Sequence, residues 1–181
     1  MATINENPTT GTGTVPTTGS QASASEAGGG LQGSLQVSVK KSDIMNRVYA
    51  QSAWHCAIRP QVPRLTADQE PMLLLTMHKG YVEMCGRLRA WLVAHSLSPK
   101  AEDGCVQLWL RIGSADDSTL SSEVAAVVAE LLSSYVLKVH YATTDSYFTT
   151  AWRKSMAQLL LIMAREELRQ SVLYGARGRY R

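Results

Sequence analysis

Ser118-Thr-Leu-Ser-Ser-Glu-Val-Ala-Ala-Val-Val-Ala-Glu-Leu-Leu-Ser-Ser-Tyr-Val-Leu-Lys-Val-His-Tyr141 is the stretch whose reading decides the fold. Leu120, Val124, Val127, Leu131, Tyr135 and Lys138 recur at steps of three and four, so the spacing predicts a helix over residues 118–141. Asp116, Asp117 and Glu123 sit at its start and Lys138 near its end, which suits the helix macrodipole. A short turn at residues 142–145 leads into a second helix, capped by Thr144 or Asp145 and predicted to run to Tyr174, with Gly175 as the residue that stops it. Phe148, Trp152, Met156, Leu159 and Met163 form its first apolar face. Ala157, Leu161, Ala164, Leu168 and Val172 form a second stripe rotated from the first. Residues 159–164, like residues 124–129 in the preceding helix, are apolar on every side, and a helix apolar all round must be covered all round. The hairpin therefore needs cover from the rest of the chain, from a neighbouring subunit, or from both.

Upstream, Leu35, Val37 and Val39 alternate with polar residues, as do Val106, Leu108, Leu110 and Ile112. Both read as short strands that can pair as a small sheet beside a helical body, with a short helix as the alternative reading of the second, which is too brief for periodicity to decide. A first helix is predicted over residues 43–58 with Ser42 as its cap, ended by Pro60 and Pro63. A second is predicted from a cap at Asp68, with Pro71 in its first turn, to about Ala94. Leu73, Met77, Tyr81, Met84, Leu88 and Trp91 mark its buried face. Gly80 and Gly86 lie inside it, and each costs about 1 kcal/mol against Ala, so each suggests a close approach by another helix. The expected architecture is mainly α: a four-helix bundle-like body with a long C-terminal helical hairpin and one or two short strands.

Three segments follow from composition. Residues 1–33 hold seven of the 13 glycines, no aromatic residue, and only Glu6 and Glu26 as charged side chains, so a flexible or extended arm is expected. Residues 34–175 form the helical domain. Residues 176–181 form a basic tail whose Arg177, Arg179 and Arg181 are candidate contacts to nucleic-acid phosphate. Across the 181 residues only 18% are charged, below the usual quarter, which fits a surface partly covered by neighbours. A net charge of +3 does not by itself argue for nucleic acid. Cys56, Cys85 and Cys105 are odd in number and lack a pairing pattern, so reduced thiols are expected. No signal peptide and no membrane span is read.

Chemistry-bearing patterns are absent. His55, His78, His95 and His140 stand apart from one another and from paired carboxylates, and His78 and Cys85 are two turns apart on one helix. There is no phosphate loop, nucleophile elbow or zinc motif. Glu166 and Glu167 lie among Arg165 and Arg169 and read as a charged helix face. No catalytic residue, metal ligand or cofactor is expected. The candidate site is an oligomer interface of Leu159, Leu160, Leu161, Ile162, Met163, Leu168 and Val172.

At Leu110-Arg-Ile-Gly-Ser-Ala-Asp-Asp-Ser-Thr-Leu120, followed by Val124, Ala125 and Val128, the chain resembles tailed-phage head–tail connector proteins. In that family Leu-Arg-Ile, a polar gap and Asp-Asp precede a Leu that leads a helix. Residues 147–164 are similar in kind to the family's later helix. Residues 65–75 and the order of helices also resemble small phage neck or tail proteins. The family's motif lies near the N-terminus, whereas here about a hundred residues precede it. The resemblance implies a virion structural protein assembled in the host cytoplasm. It would form a ring-like homo-oligomer between portal and tail, touching other neck, portal or tail proteins, with DNA in its channel. The alternative reading is a cytoplasmic helical adaptor or regulator that binds a protein or nucleic-acid partner.

Overall fold

The computed structural model describes residues 34–60, 62–97, 104–112, 117–142 and 146–177, the last six of these by backbone alone. The order of elements is β1 (Leu35–Lys40), α1 (Lys41–Ile58), a 3-10 turn at Ala67–Gln69, α2 (Glu70–Arg87), β2 (Leu92–Leu97), β3 (Cys105–Leu110), α3 (Ser118–His140) and α4 (Tyr147–Arg177). Among the described residues the chain is mainly helical, with four helices, as the periodicities imply, and a small sheet of three strands where one or two were expected.

α3 is the centre. α1, α2, α4 and β1 all pack on it. Val124, Val128, Leu131, Leu132, Val136 and Leu137 are completely buried. Most of the apolar surface of this helix is covered by its own chain, since it lies in the middle of the body, while Ala126 and Val139 stay exposed. Asp117 caps it: its Oδ1 accepts from the Leu120 N–H at 2.9 Å. Arg165 to Glu123 (3.3 Å) and Arg169 to Asp117 (3.5 Å) tie α4 to the start of α3. At 1.5 Å per residue, the 31 residues of α4 span about 46 Å and the 23 of α3 about 35 Å. α4 therefore runs on past the Arg169–Asp117 pair, beyond the first residue of α3. Residues 143–145, including the expected caps Thr144 and Asp145, lie outside the described residues. Gly175 does not end the helix: α4 continues through it to Arg177, the glycine costing about 1 kcal/mol there without changing the backbone path.

The sheet order is β1-β3-β2, antiparallel throughout. Leu35 pairs with Leu110 and Lys40 with Cys105, so the two strands read from alternation do meet. Leu35, Val37, Val39, Val106, Leu108 and Leu110 turn inward.

Four further expectations are corrected. α1 starts at Lys41, not Asp43, and uses no side-chain cap. β1 runs straight into it, and the Lys41 N–H donates to Gly104 O at 3.0 Å, so the strand ladder carries on into the first residue of the helix. Asp68 does not cap α2; it lies in the 3-10 turn, although Pro71 does fall in the first turn of the helix. α2 stops at Arg87, and residues 92–97, expected to be partly helical, form the edge strand β2. Its bulge between Leu92 and Ala94 breaks the alternation that would have marked it, while Leu88 and Trp91 extend the helical spacing past the true end. Finally, of the two α2 glycines only Gly80 marks a close approach. A Cβ there would sit 2.6 Å from Tyr135 Cδ1, whereas one on Gly86 would meet nothing within 4 Å.

Candidate functional site

The histidines and cysteines do not converge. His55 is buried, with its ring 5.2 Å from Tyr141 and 5.1 Å from Phe148. His78 is exposed while Cys85 is buried, so they share no surface. Cys56, Cys85 and Cys105 are not joined in disulfides. Among the described residues no three His, Cys, Asp or Glu side chains are placed to hold a metal ion. Glu166 is buried at the α4 surface and pairs with Arg169 Nε at 2.7 Å and Arg165 Nε at 3.4 Å. Glu167 accepts instead from the Trp91 indole N–H at 2.8 Å.

The structure divides the expected interface. Leu159, Ile162 and Met163 are buried in the chain's own core and leave the candidate surface. Leu160 is half-buried against that core. Leu161 and Leu168 are 70% and 66% exposed. Ala157 is exposed beside them and Ala164 half-buried. These four positions lie on the side of α4 opposite Phe148, Trp152, Met156, Leu159 and Met163, by the 3.6-residue turn of the helix. Val172 continues the stripe by position. Arg177 is the last residue of α4, and Arg179 and Arg181 lie outside the described residues.

A second surface was not read from sequence. α1 and α4 meet where His55 packs on Phe148. Two hollows lie beside α3 along one flank of α1. The first, of about 90 Å³, is lined by Gln51 and Trp54 from α1, Glu130 and Ser134 from α3, and Tyr147, Phe148 and Ala151 from α4. The second, of about 340 Å³, is lined by Ser38 to Lys40, Asp43, Arg47, Cys105, Ala125, Ala126 and Ala129. One helical turn separates Arg47 from Gln51, and one separates Ala126 from Glu130, so the two hollows lie one after the other along α1 and α3. The second has small residues of α3, Ala125, Ala126 and Ala129, in its wall. The first carries two half-exposed aromatic side chains, Trp54 at 57% and Tyr147 at 54%. The sequence held one signal for it: Trp54 and Tyr147 are large aromatics lying off the apolar faces of their helices.

The segment after α1 is held by a directed chain of hydrogen bonds. The Leu65 N–H donates to Ser52 Oγ at 2.8 Å, Ser52 Oγ and Tyr141 OH lie 2.8 Å apart, and Tyr141 OH donates to Pro63 O at 2.9 Å. Burial raises the Tyr141 hydroxyl above the usual tyrosine value, and burial lowers the neighbouring His140 imidazole. Across the body, Lys138 Nζ lies 3.7 Å from the centre of the Trp152 ring and 4.6 Å from that of Tyr135, with Arg87 on the Trp152 ring at 5.5 Å. These cation–π contacts stitch α2, α3 and α4 together.

No family model, curated protein or solved structure matches this chain.

Proposed function

We propose that this chain is a structural protein that acts by assembling with copies of itself. The observation that carries this reading is the outward stripe of α4: Leu161 and Leu168, two turns apart, are more than half exposed while the face behind them is fully packed. Two leucines held on the outer side of a long, well-tied helix cost solvation without serving the fold, and such a stripe suits a protein–protein contact. Within that reading, the resemblance at residues 110–128 favours a connector or neck protein of a tailed-phage virion. Such a protein forms a ring between portal and tail, meets other neck proteins, and carries its basic C-terminus toward the DNA channel. The low charged fraction supports a surface that is partly covered in use.

Light scattering after size exclusion, run over a hundredfold range of concentration and paired with negative-stain imaging, tests it. Multimers that Leu161→Asp with Leu168→Asp dissolves, at unchanged helical circular dichroism, are the expected result. A strict monomer at every concentration overturns the reading.

A further inference from the structure

We infer that the distal part of α4, from Ala164 on, is a latch that opens separately from the body and is released by ionic strength. The helix changes its means of attachment at Met163. Up to that residue apolar burial holds it: Phe148, Trp152, Met156, Leu159, Ile162 and Met163 are all buried. From Ala164 to Ser171 the buried side chain is a carboxylate, Glu166, while Leu168 is 66% exposed. Polar contacts fasten this part instead. Arg165 reaches Glu123 at 3.3 Å and Arg169 reaches Asp117 at 3.5 Å, both at the start of α3. Glu167 accepts from the Trp91 indole N–H at 2.8 Å. Both arginines are more than half exposed, so salt screens the two pairs, and each favours the closed state by a factor of about one to five.

Glu166 pulls the other way. Its carboxylate is 7% exposed and lies 2.7 Å from Arg169 Nε and 3.4 Å from Arg165 Nε, both on its own helix. Closing the latch strips water from that charge. Its two arginine partners move with it, so opening rehydrates the carboxylate without breaking those pairs. Once released, a free helix of about 14 residues is marginal in water, so the segment then loses its helical order as well. With the latch closed, Leu168 is presented on a fixed surface; with it open, that residue is carried on a free end. The latch stands on these contacts within one chain and does not depend on self-assembly.

Amide hydrogen exchange, read residue by residue on the full chain at about 0.01 M and about 1 M sodium chloride, tests this, since the screening length falls from about 30 Å to about 3 Å between them. A concentration at which light scattering shows one oligomeric state in both salts keeps association out of the comparison. Amides of residues 164–171 are expected to lose protection by about three- to twentyfold at high salt, relative to residues 152–163 of the same helix. Asp117→Asn with Glu123→Gln keeps a side-chain cap on α3 and is expected to show the low protection in both salts. Glu166→Leu replaces the buried charge by an apolar anchor and is expected to keep the segment protected at high salt. Distal amides that match residues 152–163 in both salts, or that exchange freely in both, overturn the latch. So does a double variant that responds to salt as the wild type does, or a Glu166→Leu variant that folds and opens as readily as the wild type.

Discussion

Gly80 and Gly86 offer a matched pair of substitutions in one helix with opposite expected signs. Replacing an interior helical glycine by alanine stabilises by about 0.5–1 kcal/mol when nothing stands in the way. At Gly86 nothing does, so Gly86→Ala is expected to stabilise by about that amount, toward the low end because it is the second-last residue of α2. At Gly80 the new methyl would lie 2.6, 2.7 and 3.1 Å from Cδ1, Cγ and Cβ of Tyr135. These atoms are at the root of the side chain, and the ring cannot swing aside cheaply. It meets Trp152 edge-on at 6.0 Å and carries Lys138 Nζ 4.6 Å over its face. Overpacking of this kind costs about 1–3 kcal/mol, which outweighs the gain in helix propensity. Gly80→Ala is thus expected to destabilise by about 0–2 kcal/mol net. Urea titration followed by circular dichroism reads both variants as opposite shifts of the midpoint at constant slope. Adding Tyr135→Ala should restore the gain to Gly80→Ala, seen as a coupling in the double-mutant cycle. If both glycine variants stabilise equally, the close α2–α3 approach is wrong.

Other consequences are open to the same measurements. Ser52→Ala leaves the buried Leu65 N–H without its acceptor and should cost about 1–3 kcal/mol in urea titration. Asp117→Ala removes the cap of α3 and the partner of Arg169 and should cost about 1 kcal/mol, read as a fall in Tm. Burial raises the hydroxyls of Tyr49, Tyr81, Tyr135 and Tyr141, the first also through Glu70. A raised folded pKa gives stability that is complete below the unfolded value near 10 and is lost above it. The urea midpoint should therefore fall as pH rises past about 10, with tyrosinate absorbance appearing on unfolding. His140 has the opposite sense: burial lowers it, so its contribution is complete above about 6.5 and lost as pH falls below that value, and His140→Gln should flatten that slope.

Much of this architecture was legible because the signals were local. The acidic start and the apolar spacing of α3 follow from adjacent residues, although which acidic residue caps it does not. The pairing of β1 with β3 was foreseeable because both keep strict alternation. β2 was hidden because a bulge spoils its alternation and because Gly86, near the true helix end, looked like one more interior glycine. The outer stripe of α4 was visible as a second period, but separating Leu161 and Leu168 from Leu159, Ile162 and Met163 required knowing which side α3 occupies. The hollows beside α3 were beyond the sequence for a related reason. Each is lined by several elements, so no single segment contains its pattern.

The sheet order carries a consequence for how the chain folds. β2 and β3 are joined by a short connection, so their hairpin closes at small entropic cost. β1 reaches the other edge of β3 only across α1, α2 and β2, and its continuation into α1 depends on Gly104, at the start of β3. Long-range closures of this kind are slow relative to local ones. During synthesis β1 leaves the ribosome first yet has no partner until β3 follows. The strand that begins the described fold is therefore expected to dock among the last, and refolding monitored by hydrogen exchange should protect the amides of β3 facing β2 before those facing β1.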